Sequence, residues 1–366
     1  MANSIMLMGV GDLGYHILNF LAITPRVKKI VASDINEPIG AMKTRHAKYV
    51  AAFQGLYPDI SFIKLDLAEV DVVADVIKEV GPEVICNTAI LWPTYLRPPI
   101  SEEKRKILEK EGYKGRAPRM STTFFCALKL MQAVKKSGIN THVVICNFPD
   151  CTNPVLSKGF ELTPACGGGN LDLITPLIQE AFSENLNVPM INVKVFLVAH
   201  HAWGYNLDFK LAIPYWLKVV VGGDDVTTKL PPKKLLPDLK NLRMKYFANR
   251  TGPFGEAARY HQAFIASSYV KNILALYFNT GELTNVPGPV GLPGGYPVRL
   301  SAKGCEVNLP SGISIEKAIK INEAGQKFDG IEHIEENGTI VATDGSYLEA
   351  KDIEDTAIKI LSILKK

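Results

Sequence analysis

Cysteine is scarce in this sequence. The 366 residues contain six cysteines and no Cys-x-x-Cys pair. In a chain of this size, that number and spacing indicate reduced, mostly buried thiols. A fold based on a disulfide framework is therefore not expected.

Long hydrophobic runs are also missing. The richest stretch, Met190 to Ala199, is interrupted by Asn192 and Lys194, and no stretch approaches the roughly 18 apolar residues of a membrane span. The apolar N-terminus has no basic segment and meets Asp12 in a glycine-rich turn, which is typical of a buried strand and not of a signal peptide. We therefore expect a soluble, cytoplasmic protein without a membrane partner.

Charge of one sign is not in large excess either. The chain has 41 basic and 37 acidic residues, and no Lys/Arg run is interleaved with aromatic residues, so nucleic acid is not an expected partner. Hydrophobic residues make up 47% and charged residues 21% of the chain, which excludes disorder as the main state. The length fits two domains of roughly 100–200 residues each.

The first half of the chain alternates apolar strands with amphipathic helices. This alternation predicts a parallel sheet with helices on both faces. The predicted strands are Ser4 to Met8, Lys29 to Ser33, Ser61 to Leu65, Val84 to Asn87 and His142 to Asn147, and the predicted helices are Tyr15 to Ala22, Pro38 to Tyr57, Val70 to Val80 and Thr122 to Lys136.

A long excursion from Trp92 to Arg119 interrupts this alternation with four prolines and a charged, short helix, and such a loop can act as a lid.

We place the boundary between a first domain, residues 1–150, and a second, residues 151–366, after the fifth strand. In the second domain we predict helices at Leu171 to Glu184, Glu256 to Tyr277 and Ala350 to Leu364, a strand at Ile191 to Ala199, and a hairpin at Ile331 to Ala342 with a two-residue Asn337-Gly338 turn.

Three glycines follow the first strand in the pattern Gly-x-Gly-x-x-Gly. Gly9 permits a tight turn, Gly11 lets the backbone approach a pyrophosphate, and Gly14 allows close contact between strand and helix. Asp34 ends the second strand, 25 residues after Gly9, where a carboxylate binds a ribose diol and repels a 2′-phosphate. Together these residues favour NAD over NADP as the cofactor.

The sequence from Gly9 to Gly14, with Asp34-Ile35-Asn36-Glu37-Pro38, resembles the opening of the malate and lactate dehydrogenases. Thr88-Ala89 and the strand that ends at Asn147 extend the similarity, and looser matches continue in patches to about residue 310. The resemblance implies an α/β fold: an N-terminal Rossmann domain with a doubly wound parallel sheet, and a C-terminal α+β catalytic domain. It also implies a homodimer or homotetramer that acts on a small molecule. The implied cofactor-binding residues are Gly9, Gly11, Asp12, Leu13, Gly14, Asp34, Ile35, Thr88, Ala89 and Asn147.

Hydride transfer at a carbinol carbon needs a group that exchanges the hydroxyl proton, and histidine suits this task near neutral pH. His201, at the end of the apolar strand, is the candidate, although the sequence leaves open whether it or His200 faces the pocket. Asp172 is the expected carboxylate partner of that histidine. Arg119 resembles the family's loop arginine, which polarises the substrate oxygen, and Arg116 is the alternate. Arg259 and His261 are further candidates for the cleft.

The sequence also departs from the family. Thr175 stands where the family has the arginine that clamps the substrate carboxylate, and Ala202-Trp203 replaces the glycine-aspartate pair that follows the histidine. We therefore expect an NAD-dependent oxidoreductase for a secondary hydroxyl or ketone of a substrate other than ordinary malate or lactate.

Two other functions stay open, and no metal site is expected in the preferred one. Thr152-Asn153-Pro154 and the segment from His200 to Trp203 resemble the NAD- and metal-dependent glycosidases of family four, in which Cys166 and His200 would hold the metal. The missing arginine at Thr175 instead favours a non-catalytic NAD-binding sensor.

Overall fold

The computed structural model describes residues 4–92, 100–205, 211–231 and 256–365, with the exception of the side chains of Tyr205 and of residues 256–261. Six parallel strands form the N-terminal sheet in the order β3-β2-β1-β4-β5-β6. Their bounds are β1 Ser4–Met8, β2 Lys29–Asp34, β3 Asp59–Lys64, β4 Val84–Asn87, β5 His142–Ile145 and β6 Cys166–Gly167.

Ten α-helices connect or cover the sheets within the described residues. They are α1 Asp12–Ala22, α2 Glu37–Phe53, α3 Val70–Val80, α4 Glu102–Lys110, α5 Arg116–Ser137, α6 Pro149–Phe160, α7 Thr175–Leu186, α8 Glu256–Phe278, α9 Ile315–Gln326 and α10 Ile353–Lys365. Local chemistry sets several of these bounds: the Asn36 side chain accepts a hydrogen bond from Ile39 N at the start of α2, and Gly81, in the left-handed region, ends α3.

The central strand β1 separates two hydrophobic cores. Ile5 and Leu7 pack into one core with residues of α1 and α8, whereas Met6 and Met8 pack into the other with residues of α3 and α5. This alternation along a strand buried on both faces gives the doubly covered sheet predicted from the sequence. The strand order reverses between β1 and β4, and in open α/β sheets ligands bind beside the carboxyl ends of the strands at such a point.

A second, antiparallel sheet follows in the chain. Its strands are ordered β10-β11-β7-β8-β9, and β12 pairs with β11. The bounds are β7 Val193–Ala199, β8 Tyr215–Val221, β9 Asp224–Asp225, β10 Glu282–Pro287, β11 Gly295–Ser301 and β12 Gly304–Val307. Strand β7 ends directly before the two histidines, so this sheet fixes where they enter the site.

The C-terminal segment returns to the first sheet. Strands β13 Ile331–Ile334, β14 Ile340–Ala342 and β15 Tyr347–Leu348 form a small antiparallel sheet, and apolar residues of this sheet and of α10 share a core with Phe124 of α5. The last part of the second domain predicted for residues 151–366 thus shares a core with the first sheet, and the boundary at residue 150 stays a prediction.

Three sequence-based details need correction. The hairpin at Ile331 to Ala342 forms, but residues 335–339 make a five-residue loop in place of the two-residue turn. Helix α5 begins at Arg116 and not near Thr122. Helix α6 was not predicted, because Pro149, Pro154 and Gly159 mask its pattern, although Pro149 occupies the first turn, where no amide donor is needed. Residues 93–99 of the predicted excursion lie outside the described residues.

None of the helices in the described part of the chain is both long and apolar enough to cross a membrane.

Candidate functional site

Gly9 and Gly11 lie in the loop between β1 and α1, and Gly14 lies in the first turn of α1. Gly9 has φ +92°, and a Cβ there would lie 2.8 Å from Ala89 N; a Cβ on Gly14 would lie 2.2 Å from Gly9 O. In contrast, nothing lies within 4 Å of a Cβ placed on Gly11. Gly9 and Gly14 therefore permit the loop to form, and Gly11 leaves its outer side open to a ligand.

Thr88 and Ala89 hold this loop against the end of β4. The Thr88 hydroxyl donates to Gly9 O at 2.7 Å, and the backbone amides of both residues donate to Met8 O. The first residues of α1, Asp12 and Leu13, directly follow the loop. Their backbone amides lie at a helix N-terminus, a position that favours anion binding.

Asp34 lies at the end of β2, beside the glycine loop. Its Oδ2 accepts from Val10 N at 2.8 Å, and its Oδ1 accepts from Asn36 N at 2.9 Å. The neighbouring Ile35 is 62% exposed. A carboxylate and an exposed apolar side chain thus flank the loop on one side, a combination that suits a ribose diol and an adenine ring.

On the other side, the end of β5 connects the glycine loop to two histidines. The buried Asn147 donates from Nδ2 to Ala89 O at 2.9 Å and accepts from Asn87 Nδ2 at 3.0 Å. Phe148 follows with φ 45° and ψ 60°, a strained conformation for a bulky residue. In this conformation the Phe148 ring meets the rings of His200 and His201 edge-on, at centroid distances of 6.4 and 5.6 Å.

Both histidines share the carboxylate of Asp329, which follows α9. The Nδ1 atoms of His201 and His200 lie 2.8 and 3.2 Å from Asp329 Oδ2. Burial opposes the charge on Asp329, but hydrogen bonds from both histidines hold its pKa well below the usual value. The His201 side chain is 18% exposed and that of His200 is fully buried. Of the two, His201 is therefore the accessible histidine.

The predicted pair of Asp172 and His201 is not formed. Asp172 lies in the 3-10 turn before α7 and accepts from Lys271 Nζ at 2.6 and 2.8 Å, and also from Ser268. The Asp172 side chain is 2% exposed. A carboxylate that is buried to this degree needs a cation as its partner, and Lys271 of α8 supplies it. Asp329 occupies the expected position next to the histidine. No local pattern marked it, because it lies 128 residues from His201 in the chain.

Asp150, which sequence reasoning also missed, fixes the backbone at His201. Its buried carboxylate accepts from His201 N at 3.2 Å and from the side chain of Asn170. Asn170 has φ 52°, a second non-glycine residue in the left-handed region at this site. Strained residues persist where the surrounding structure holds them. The position of His201 is therefore fixed by several contacts: with Asp150, with Asp329 and with the Phe148 ring.

The predicted Arg119 lies in the first turn of α5 and not on the preceding loop. Its Nε donates to Gly115 O at 2.7 Å. Hydrogen bonds from Ser346 lower the pKa of Asp344, and the charge of Arg119 adds a small contribution in the same direction. The alternate, Arg116, packs beside Gly330, next to Asp329. Arg116 is therefore closer in the fold to the His201–Asp329 pair.

Further candidates from the sequence occupy structural positions. The Trp203 side chain is 4% exposed and packs on Tyr215 with ring centroids 4.8 Å apart, as part of a hydrophobic core beside the second sheet. The Thr175 hydroxyl donates to Asp172 O. Arg259 and His261 lie outside the described side chains.

Cys166 and His200, the pair considered for a glycosidase metal, each have another neighbour in the structure. Cys166 lies beside the Cys305 thiol. A hydrogen bond between the two, together with burial, raises the pKa of Cys305. His200 instead contacts Asp329. Within the described ranges, no group of three or more His, Cys, Asp or Glu residues is placed to hold a metal ion.

The lowered pKa of Asp329 predicts a pH-dependent contribution to stability. Its ionised form stabilises the folded chain above the unfolded carboxyl's pKa of about 3.9, and this contribution is lost as the pH falls toward the lowered folded-state pKa. In urea unfolding, the difference in unfolding free energy between wild type and Asp329→Asn should shrink when the pH is lowered from about 6 to about 3. A difference in unfolding free energy that is independent of pH would contradict the lowered pKa of Asp329.

Solved structures with the same overall architecture are lactate and malate dehydrogenases. Plasmodium falciparum malate dehydrogenase is 14% identical with a TM-score of 0.59, and the match covers 99% of each chain. Cryptosporidium parvum lactate dehydrogenase, in complex with lactic acid and nicotinamide adenine dinucleotide, is 16% identical with a TM-score of 0.57, over 89% of this chain and 98% of that one. A lactate dehydrogenase from a Medee basin deep-sea metagenome is 13% identical with a TM-score of 0.58, over 90% and 98%.

No protein-family model and no curated protein sequence matches the chain. The structural matches nevertheless span nearly the whole described fold and confirm the predicted fold class. The chain therefore has the fold of the lactate and malate dehydrogenases.

Proposed function

We propose that this protein is an NAD-dependent oxidoreductase that transfers a hydride between the nicotinamide and a secondary hydroxyl or ketone of a small molecule. One observation carries the proposal: a continuous set of contacts runs from the glycine loop through Ala89 and Asn147 to Phe148, and from there to the paired His201 and Asp329. A dinucleotide-type loop and an acid/base pair thus meet at the carboxyl ends of the strands.

The residues at the glycine loop fit NAD. The open side of Gly11 accommodates a pyrophosphate, Asp12 and Leu13 supply amides at the start of α1, and Asp34 suits a ribose diol. Among the structural relatives, Plasmodium falciparum malate dehydrogenase was solved in complex with NADH. NAD, when bound, accepts or supplies the hydride.

His201 is proposed to exchange the proton of the substrate hydroxyl. The hydrogen bond from its Nδ1 to Asp329 fixes the tautomer and directs Nε2 to the proton transfer. The negative charge of Asp329 stabilises the imidazolium that forms when the ring takes up the proton. Asp150, through the His201 amide, holds the ring at the end of β7.

We infer that the substrate differs from malate and lactate. Thr175 cannot clamp a carboxylate with two parallel hydrogen bonds as an arginine does, and its hydroxyl is already bonded to the backbone of Asp172. Arg116, next to Gly330, is the cation that we propose for binding or polarising the substrate oxygen. Arg116 is exposed, and one such cation in place of a buried clamping arginine favours a substrate with less anionic charge.

The proposal is tested by following NADH absorbance with hydroxy acids, amino alcohols, sugars and sugar acids and with the matching ketones. We expect activity with at least one of them, and we expect it to survive dialysis against a chelator. Activity that disappears with the metal would favour the glycosidase. Tight NADH binding without turnover of any compound would favour the sensor.

The cofactor preference is expected to depend on Asp34. The variant Asp34→Ser removes the charge that repels a 2′-phosphate and leaves Lys43, whose Nζ donates to Val10 O at 2.7 Å, as a nearby cation. We expect the ratio of NADPH to NADH affinity, measured by calorimetric titration, to rise at least about tenfold. A wild-type protein that already prefers NADPH would show that Asp34 has another role.

A further inference from the structure

A cavity opens at the amino ends of β2 and β3, at the edge of the sheet opposite the glycine loop. Its volume is about 290 Å³, and residues 24, 26–28 and 56–58 line it. These residues follow the ends of α1 and α2 and directly precede the two strands. Helix α1 begins at the glycine loop and ends beside this cavity, so the cavity is separate from the catalytic site proposed above.

The turn at the rim of the cavity holds an arginine in a strained backbone conformation. Val27 N donates to Thr24 O at 3.3 Å. Between them, Pro25 takes the second position of the turn and Arg26 the third, with φ 73°. A type II turn has this pattern and favours glycine or asparagine at its third position, because other side chains are strained there. Such strain is typical of residues that bind ligands.

An aromatic ring holds the Arg26 side chain in place. Its Cζ lies 4.9 Å from the centroid of the Phe278 ring, in the last residue of α8. This stacking covers one face of the guanidinium and leaves the N–H donors in its plane for an acceptor. The arginine is thus oriented in advance for a ligand with several acceptor atoms.

The charges around the cavity favour an anion. Lys28, two residues after Arg26, is exposed and also lines the cavity, and among the described residues neither cation pairs with a carboxylate. Asp59, the nearest carboxylate in the sequence, lies opposite Lys29 in the register of β2 and β3, so a cation of its own offsets its charge. An arginine and a lysine at one cavity suit the charge and the acceptor oxygens of a phosphate group.

An apolar wall continues the cavity beside these cations. Tyr57 is 83% exposed and lies between Leu56 and Pro58 in the lining. The face of its ring offers a surface on which an apolar group can pack. The cavity volume of about 290 Å³ is near the lower limit of the roughly 300–1,000 Å³ of small-molecule sites, which restricts the ligand to a small molecule.

We propose that this cavity binds a small phosphate monoester that carries an apolar group. Arg26 and Lys28 bind the phosphate, and the apolar group packs on Tyr57. The cavity and the glycine loop lie at opposite ends of α1, so this ligand and a dinucleotide do not compete for one place.

The proposal is tested by the rate at which phenylglyoxal modifies Arg26 in the full-length protein, measured by mass spectrometry. We expect inorganic phosphate and phenyl phosphate to slow this modification in a saturable way, about tenfold at a concentration of about ten times Kd. Arg45, an exposed arginine of α2, is the internal control and should react at an unchanged rate. Equal protection of both arginines, or of neither, would overturn the proposal. This readout needs neither NADH nor turnover.

Two variants test the assignment of the phosphate and of the apolar group. Lys28→Gln should raise the Kd of both probes about tenfold, because one charged hydrogen bond is lost. Tyr57→Ala should raise the Kd of phenyl phosphate to that of inorganic phosphate and leave the latter unchanged. If phenyl phosphate binds no tighter than inorganic phosphate, or does not respond to Tyr57→Ala, the assignment of an apolar group is wrong.

The variant Arg26→Asn separates a binding role of Arg26 from a structural one. Asparagine suits the third position of the turn but has no guanidinium. We expect thermal unfolding at the wild-type temperature or above it. We also expect the protection of Lys28 from acetic anhydride by phenyl phosphate to need an at least about tenfold higher concentration. Unfolding at a lower temperature with unchanged protection of Lys28 would show that Arg26 only stabilises the turn, and would overturn the proposal.

Discussion

Replacing Asp329 with asparagine is expected to lower turnover by about 10²–10⁴-fold while the affinity for NADH stays unchanged. The asparagine side chain still reaches His201, but it has no charge with which to stabilise the imidazolium and does not enforce the same tautomer. The effect should appear in kcat, measured with the substrate that the absorbance panel identifies. Calorimetric titration with NADH provides the binding constant.

Asp172→Asn is the matched control for this experiment. It removes the same charge from a buried carboxylate, but one that is bonded to Lys271 and not to a histidine. We expect lower thermal stability, because the partly buried Lys271 loses its partner, and turnover that stays within a few-fold of wild type. If Asp172→Asn abolishes turnover and Asp329→Asn does not, the assignment of the carboxylates is wrong.

Two glycine variants should separate effects on folding from effects on cofactor binding. In Gly11→Ala, the added methyl group meets no protein atom, so the stability of the chain should be unchanged. The methyl group does obstruct the approach of a pyrophosphate to the backbone. We expect the dissociation constant for NADH to rise about 10–100-fold, equivalent to one charge-assisted hydrogen bond of about 1.5–3 kcal/mol.

Gly14→Ala is the counterpart, because its Cβ would lie 2.2 Å from Gly9 O. Backbone atoms must shift to relieve this contact, and we expect a loss of at least about 1–3 kcal/mol in the free energy of unfolding. Urea unfolding measures this loss, and calorimetry measures binding for both variants. Equal NADH affinity in Gly11→Ala and wild type would place the dinucleotide elsewhere.

The parts of the fold that depend on neighbouring residues could be predicted from the sequence. The strand, glycine turn and helix around Gly9 to Gly14 are contiguous, and Asp34 follows at the end of the next strand. The position of His201 is likewise set by the apolar strand that ends at Ala199. In each case a short run of residues contains both the strand or helix and the residues at which it ends.

The partners of these residues could not be predicted, because long-range packing decides them. The residues next to Asp329 and Asp172 in the sequence do not indicate a partner for either carboxylate. Only the fold brings Asp329 to His201 and Asp172 to Lys271. Asp150 lies in α6, whose two prolines conceal the helix. The resemblance to dehydrogenases suggested Asp172 as the partner of His201, because Asp172 has the place of the family's aspartate in the order of residues along the chain. In the structure, the carboxylate next to His201 is Asp329, from a different segment.

The most direct test of the proposed function is the rate of NADH oxidation by His201→Ala with the substrate found for wild type. We predict a rate about 10²–10⁴-fold below that of wild type, with unchanged NADH affinity and unchanged thermal unfolding. A variant that retains the wild-type rate within a few-fold would contradict the assignment of His201 as the group that moves the proton.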